Sequence, residues 1–195
     1  MSDFSNIYDQ MRVHGMELPA KCFEIRIPDA KTILKNCFRY FLSFQNVELL
    51  WQPEYDKVAE WLEHNDKRGL FLYGDCGRGK SLLIRYVIPA ILLKYSKKVV
   101  SVYDVQSMNH NINEVLKKHI IALDDIGTED ILVSYGNKRI AFAEVVDAAE
   151  KQGKLVIIST NLKGNEIIER YGQRVMERIV STTKRIEFKG KSLRQ

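Results

Sequence analysis

One eight-residue segment restricts the fold of this chain more than any other feature. Residues 74–81, Gly-Asp-Cys-Gly-Arg-Gly-Lys-Ser, fit the pattern G-x-x-x-x-G-K-[ST] and directly follow the apolar run 70–73, which predicts a buried strand. Glycines let backbone N–H groups turn inward around phosphate oxygens, because a Cβ would obstruct both the turn and the close approach. A strand, this loop and a following helix therefore predict a nucleotide-binding α/β fold.

The side chains of the motif have distinct expected roles. Lys80 supplies a point charge to the β- and γ-phosphates, and Ser81 offers a hydroxyl to Mg²⁺. The helix that opens at Gly79 directs the positive end of its dipole at the same anion. We therefore predict that the chain binds ATP with Mg²⁺. The predicted nucleotide-binding residues are Gly74, Asp75, Cys76, Gly77, Arg78, Gly79, Lys80, Ser81 and Leu82.

Length and composition favour one folded domain with an extension. The chain has 195 residues, of which 45% are hydrophobic, enough for a sizeable core. It has no run of apolar residues long enough to span a membrane, and Met1–Asn6 lacks the basic and apolar pattern of a signal peptide, so we expect a cytoplasmic protein. Cys22, Cys37 and Cys76 are widely spaced, which predicts free thiols.

The positive charge of the chain is concentrated near its C-terminus. The net charge is +5, and residues 163–195 contain nine Lys or Arg against four Glu. A basic tract of this kind is suited to phosphate groups, whether of a nucleotide or of single-stranded DNA. A solvated basic surface without a ligand is the alternative.

Residues 1–46 are predicted to form a helical extension, and residues 47–195 the nucleotide-binding domain. A short helix is expected over 6–14, and Pro19 and Pro28 interrupt the following segment. From Asp29, a plausible N-cap, apolar residues recur at helical spacing through Phe44, which predicts an amphipathic helix. Two interpretations stay open: this helix packs against the ATPase core, or it docks a partner protein.

From Pro53 onward the chain alternates helical stretches with short apolar runs. This alternation is typical of a three-layer α/β domain with a mostly parallel sheet. Pro89 is expected to kink the helix that follows the phosphate loop. The predicted strands are 70–73, 98–103, 119–123, 155–159 and 185–188, and the predicted helices are 54–64, 80–95, 105–117 and 141–152.

Polar residues follow two of these strands. Asp124 and Asp125 come after the apolar run 119–123, and Asn161 comes after the run 155–159. Ligands bind beyond the carboxyl ends of parallel strands, so we expect all three near the phosphate loop. Asp124 is suited to holding Mg²⁺ through its water shell, and Asp125 to orienting or deprotonating the attacking water. The alternatives are an N-cap pair for the acids and a turn for Asn161.

The order of these motifs resembles that of one family. After the phosphate loop come Ile-Ala-Leu-Asp-Asp-Ile-Gly-Thr-Glu at 121–129 and Ile-Ser-Thr-Asn-Leu at 158–162. Then follow Tyr-Gly-Gln-Arg-Val-Met-Glu-Arg-Ile at 171–179 and Gly-Lys-Ser-Leu-Arg at 190–194. Over residues 50–194 this resembles the DnaC/DnaI-type helicase loaders and the IstB-like transposition ATPases.

The resemblance implies an AAA+ core with a five-stranded sheet in the order 5-1-4-3-2. It also implies that Asn161 is the sensor-1 residue, and that Arg178 is an arginine finger that reaches the ATP of a neighbouring subunit. Arg174 would be the companion of Arg178. The two arginines are four residues apart, hence on one face of a helix. Their alternative is a solvated face that pairs with Glu169 or Glu177.

The chain departs from the family in two respects. Asp125 stands where many AAA+ proteins have Glu, and no C-terminal helical lid is expected after Arg178. We therefore expect hydrolysis that is slow or depends on assembly.

Three functions follow as hypotheses. The first is an oligomeric ATPase that acts on single-stranded DNA and loads a replicative helicase or directs a transposase. The second is a nucleotide-gated interaction switch with little turnover, and the third is a small-molecule kinase.

Overall fold

A parallel sheet forms the centre of the computed structural model. The structure describes residues 6–128, 132–134 and 137–193. For residues 132–134 and 137–139 it describes only the backbone. Two motif residues, Glu129 and Arg194, lie outside the described residues. The strands are Gly69–Gly74 (β1), Ser101–Asp104 (β2), Ile120–Ile126 (β3), Leu132–Ser134 (β4), Asn137–Arg139 (β5), Leu155–Thr160 (β6) and Thr183–Phe188 (β7). The helices are Ile7–Val13 (α1), Ala30–Ser43 (α2), Pro53–Glu63 (α3), Lys80–Leu82 (α4), Ile88–Ser96 (α5), Val105–His110 (α6), Ile112–Val115 (α7), Ala141–Gln152 (α8), Gly164–Tyr171 (α9) and Gln173–Thr182 (α10), with a π-helical turn at Leu83–Val87.

The central sheet has the order β2-β3-β6-β1-β7. All its pairings are parallel; for example, Phe71 of β1 pairs with Ile158 of β6 and with Arg185 of β7. Numbered along the chain, these five strands have the order 2-3-4-1-5, which is the expected 5-1-4-3-2 from the other edge. The predicted fold class is confirmed. Because the strands are parallel, the carboxyl ends of β1, β3 and β6 lie side by side along one margin of the sheet, and 'edge of the sheet' refers to this margin in the description of the site.

Helices cover both faces of the sheet, because successive side chains of each buried strand point to opposite sides. Leu70 and Leu72 of β1 belong to a core that α2, α3 and α5 also build, whereas Phe71 belongs to a second core with α6 to α10. The predicted three layers are therefore present. A small antiparallel hairpin, β4 and β5, was not predicted.

The helix after the phosphate loop, where Pro89 predicts a kink, contains a π-helical turn. The α-helical turn α4 passes into the π-helical turn, and α5 begins immediately before Pro89. Proline has no N–H and its ring collides with the carbonyl four residues earlier, so a regular α-helix cannot run through it. The predicted helix 105–117 is likewise divided, because the chain turns at Asn111 between α6 and α7.

The amphipathic helix α2 packs on the core of the nucleotide-binding domain. Its residues Ala30, Leu34 and Phe38 are buried, and Phe38 contacts the ring of Tyr55 on α3. Asp29 occupies the N-cap position but makes no side-chain cap hydrogen bond. One face of α2 thus packs against the core, as the first interpretation expects. The opposite face of this helix is exposed to solvent. In the part of the chain that the structure describes, no helix is long and apolar enough to cross a membrane.

Candidate nucleotide-binding site

The phosphate loop connects the end of β1 to α4. Gly74, Gly77 and Gly79 all have positive φ angles, of 110°, 73° and 85°, a region that side chains with a Cβ seldom occupy. Gly79 is the N-cap of α4, and a Cβ there would lie 2.7 Å from the Tyr55 hydroxyl oxygen. Glycine is therefore required at these positions for the backbone conformation of the loop.

Lys80 lies inside this loop with only 6% of its surface exposed. Its Nζ donates hydrogen bonds to the backbone carbonyls of Gly74 and Asp75, at 2.8 and 2.7 Å. Burial lowers the pKa of Lys80, and the nearby acids, including Asp124 and Asp125, act in the opposite direction. A buried ammonium with neutral carbonyl partners fits the phosphate chain of a nucleotide, which would supply the missing counter-charge.

Asp124 is almost fully buried at the carboxyl end of β3, with 3% of its surface exposed. One carboxylate oxygen accepts a hydrogen bond from Ser159 of β6, and the other accepts one from Arg85 Nε, both at 2.5 Å. The hydrogen bond to Asp124 raises the pKa of Arg85. Sequence reasoning missed Arg85, although its position four residues after Ser81 places it one helical turn beyond the predicted metal ligand.

The oxygen donors at this edge of the sheet suit a magnesium ion. The Ser81 hydroxyl and the Asp124 carboxylate are hard ligands, and Mg²⁺ bound with a nucleotide keeps waters and phosphates as its other ligands. Residues 6–128 and 140–193 contain no group of three or more His, Cys, Asp or Glu side chains placed to hold a metal ion. The residues present therefore fit Mg²⁺ together with ATP.

A β-bulge determines the position of Asp125. The pairing of β3 with β6 shifts between Leu123 and Ile126, and Asp125 has a φ of 62°. This conformation is unusual for a residue with a Cβ, and such conformations concentrate at functional sites. The Asp125 N–H donates to Ser159 Oγ at 2.9 Å, and its carboxylate accepts a hydrogen bond from Asn161 Nδ2 at 2.9 Å. The two residues that sequence reasoning placed beyond separate strands thus contact each other.

The side chain of Arg78 is held by contacts with residues outside the phosphate loop. Its guanidinium donates to Gln52 at 2.9 Å, to Glu54 at 2.8 Å and to the carbonyl of Lys191 at 3.3 Å. Burial alone would raise the pKa of Glu54, but hydrogen bonds from Arg78 and from the Lys189 N–H outweigh it and hold that pKa below its usual value. Of Arg78, only the backbone is left to contact a nucleotide.

Residues 189–193, which we call the C-terminal strap, lie across the phosphate loop. The Leu193 N–H donates to the Gly77 carbonyl at 2.9 Å, and the Gly190 N–H donates to the Asp75 carboxylate at 2.8 Å. A Cβ at Gly77 would collide with Ser192 Oγ. The conformation of the loop thus depends on residues more than a hundred positions away.

Arg178 and Arg174 lie on α10, away from these contacts. The Arg178 guanidinium forms ion pairs with Asp147 at 2.5 Å and Glu150 at 2.9 Å, both on α8 of the same chain. Neither Glu169 nor Glu177, the partners considered from sequence, supplies these contacts. Arg174 is exposed and forms no ion pair within the described residues.

Comparison with known proteins shows similarity at the level of structure. No protein-family model matches the chain, and neither does any curated protein at a significant level. The structure of DnaI has a TM-score of 0.53 and 20% identity, over 85% of this chain and 96% of that chain. The structure of the DnaC helicase loader has a TM-score of 0.53 and 18% identity, over 84% and 93%. AMPPCP-bound DnaA from Aquifex aeolicus has a TM-score of 0.50 and 16% identity, over 72% and 48%. At these identities the likeness establishes the fold alone, a parallel sheet with helices on both faces, which is the fold that the sequence predicts.

Proposed function

We propose that this chain is an AAA+ ATPase, which binds and hydrolyses ATP. The observation that carries the proposal is the contact between Asp125 and Asn161, at the sheet edge that also holds Asp124 and the buried Lys80. AMPPCP, an ATP analogue, is bound by the DnaA neighbour, which supports a nucleotide at this edge. The chemistry required is phosphoryl transfer to water, in which positioning and electrostatic stabilisation contribute most of the catalysis.

Each side chain has one task in this proposal. Lys80 binds the β- and γ-phosphates and offsets their charge, and Asp125 accepts the proton of the attacking water. Asn161 holds the Asp125 carboxylate in one orientation through its Nδ2, which leaves the other carboxylate oxygen to face the water. Mg²⁺, held by Ser81 and through water by Asp124, would supply further positive charge at the phosphates.

Asp125→Asn is expected to bind ATP normally and to hydrolyse it at least ~10²-fold more slowly, because an amide cannot accept the proton. Phosphate release and ATP titration, made on the same preparation, separate the two effects. Asp125→Glu is the matched control, since it keeps a carboxylate and should retain turnover. If the Asn variant hydrolyses ATP at the wild-type rate, Asp125 is not the base.

The ATPase is proposed to act as an oligomer. Arg178, with Arg174 as its companion, would reach the ATP of the neighbouring subunit, so one chain would not complete its own site. The ion pairs of Arg178 with Asp147 and Glu150 would then be exchanged for phosphate when subunits associate head to tail. This exchange accounts for the expected dependence of turnover on assembly.

The proposed cellular role is helicase loading in cytoplasmic DNA replication, or assistance to a transposase. The support is the fold shared with DnaI and with the DnaC helicase loader, together with the motif order that also resembles the IstB-like ATPases. A replicative helicase or a transposase would be the protein partner, and single-stranded DNA the nucleic acid.

A nucleotide-gated switch with little turnover is the second candidate. The ion pairs that hold Arg178 within its own chain favour it, because they keep the proposed finger away from a second subunit. ATPase assays with and without single-stranded DNA discriminate the two: turnover stimulated by DNA supports the ATPase, and turnover that stays negligible supports the switch.

Single-stranded DNA is expected to bind the C-terminal basic tract with a steep dependence on salt. Lys163, Arg174, Arg185 and Lys191 are exposed there, and contacts made to phosphates release counterions. The double variant Lys163→Glu/Arg185→Glu should reduce the slope of log affinity against log salt by about 1.4, since each lost contact contributes about 0.7. The matched control is Lys97→Glu/Lys98→Glu, which changes charge equally outside the tract. Binding that is independent of salt, or equally weakened by the control, contradicts this assignment.

A further inference from the structure

An open groove lies between α2 and α5, on the exposed side of α2. It has a volume of about 400 Å³, within the usual range for ligand-binding clefts. Aliphatic and aromatic side chains make up most of its lining. The lining residues are Ile33, Asn36, Cys37, Tyr40, Phe41, Ala90, Ile91, Lys94 and Tyr95.

Large apolar side chains beside the groove are unusually exposed. Tyr40, which lines the groove, exposes 61% of its surface, and Phe44, whose ring contacts Tyr40, exposes 70%. The rings contact one another in the order Phe44, Tyr40, Phe41 and Tyr86, and Tyr86 is also about half exposed. Contiguous exposed apolar surface of this kind is typical of sites where another molecule binds.

The two helical segments that form the groove carry only positive charge. Residues 30–43 and 83–98 contain seven Lys or Arg side chains and no Asp or Glu. Lys31 and Arg85 form ion pairs with acids of other segments. Within the described residues the other five form none, and these are Lys35, Arg39, Lys94, Lys97 and Lys98. Of these five, Lys94 lines the groove and Arg39 is the chain neighbour of Tyr40, which also lines it, so acidic groups of a bound molecule would find unpaired positive charge there.

We propose that this groove docks an acidic amphipathic helix of a partner protein. The apolar face of such a helix would enter between α2 and α5, with side chains one helical turn apart filling the space above Ile33 and Ile91. Its carboxylates would pair with Arg39 and Lys94 at the border. Tyr40 and Phe44 supply large, rigid contact area of the kind that concentrates binding energy at interfaces.

Two other occupants fit the groove less well. Nucleic acid needs flat aromatic faces for stacking, but Tyr40 and Phe44 pack edge to face against each other, at 85°. A second copy of the chain would have to offer an acidic helix with an exposed apolar face. Among the described helices, the acidic ones (α3, α7, α8 and α9) turn their apolar faces into their own cores, and α1 has as many basic as acidic side chains.

The test uses the full chain and a synthetic peptide of about 18 residues, roughly five helical turns. The peptide has leucines on one face and glutamates on the other, and a second peptide has lysines in place of the glutamates. Fluorescence anisotropy without nucleotide should show binding of the acidic peptide, at least ~10-fold tighter than the basic one. Tyr40→Ala/Phe44→Ala and Arg39→Glu/Lys94→Glu should each weaken that binding by at least ~10-fold.

The controls change similar side chains elsewhere: Val99→Ala/Val180→Ala for exposed apolar surface, and Lys163→Glu/Arg185→Glu for charge. Unchanged thermal unfolding shows that the groove variants still fold. The proposal is overturned if the acidic peptide does not bind, if both peptides bind equally, or if the controls weaken binding as much as the groove variants. It is also overturned if the groove variants leave peptide binding unchanged and abolish self-association, which would indicate a second copy of the chain, or binding of oligo(dT), which would indicate nucleic acid. Docking does not require ATP hydrolysis, so Lys80→Ala should bind the peptide like the wild type. The peptide result therefore stands even if the proposed catalytic function fails.

Discussion

Lys80→Ala is expected to abolish ATP binding, with an affinity loss of at least ~10²- to 10³-fold, the range for removing one partner of a buried charge pair. Lys80 is the buried ammonium of the phosphate loop, held by the carbonyls of Gly74 and Asp75. Without it the loop offers only backbone dipoles to the β- and γ-phosphates. Isothermal titration with ATP and Mg²⁺ measures the loss directly.

Lys154 provides a matched control, because it is another buried lysine. Its Nζ donates to the Lys118 carbonyl at 2.9 Å, and burial lowers its pKa as it does for Lys80. It precedes β6, however, and so lies at the opposite end of the strand from Asn161. Lys154→Ala should therefore retain ATP affinity. Equal affinity in wild type and Lys80→Ala would contradict the assignment of the site.

Arg178→Ala is expected to lower turnover by as much as ~10³-fold, the lower end of the range for an arginine finger, while the monomer still binds ATP. A permanently charged, planar guanidinium stabilises the charge that develops on the transferred phosphoryl group. The measurement is steady-state ATPase activity at concentrations where nucleotide promotes oligomers.

Arg178 also pairs with α8, so a structural effect must be separated from a catalytic one. Asp147→Asn/Glu150→Gln removes the same ion pairs but keeps the arginine. This variant should retain or increase turnover if Arg178 is the finger, and should be as slow as Arg178→Ala if the ion pairs are what matters.

Mixing two inactive proteins tests whether the arginine acts between subunits. Arg178→Ala keeps an intact phosphate loop, and Lys80→Ala keeps an intact Arg178, so mixed oligomers contain complete sites. Activity should recover on mixing. A mixture that stays inactive, although mixed oligomers are shown to form, rules out action between subunits.

Local pattern was enough to predict the sheet. The three inner strands β1, β3 and β6 are short apolar runs next to polar or glycine residues. The edge strands β2 and β7 are partly polar, and their places follow from the order of the motifs, which resembles one known arrangement. The hairpin β4 and β5 has no such pattern, since Asn137–Arg139 is entirely polar. The division of the predicted helix 105–117 at Asn111 was missed because its apolar spacing continues past the turn.

The site was predictable in composition but not in its contacts. Strand ends identified Asp124, Asp125 and Asn161 because parallel strands bring their carboxyl ends to one edge. The bulge that turns Asp125 toward Asn161 leaves no mark in the sequence, since any residue can occupy the bulged position at some cost. The partners of Arg78, Arg85 and Arg178 lie 24 to 113 positions away along the chain, and one sequence does not show which charges meet.

The C-terminal strap has a consequence for how the protein folds. Gly77 and Asp75 are held by Leu193 and Gly190, so the phosphate loop acquires its shape only after β7 has joined the edge of the sheet. Contacts between such distant parts of a chain form late, because a long loop must close first. Nucleotide would then bind only to molecules that have completed this last step. ATP would draw partly folded chains toward the native state by mass action, and its first effect would be on the contacts between the strap and the phosphate loop.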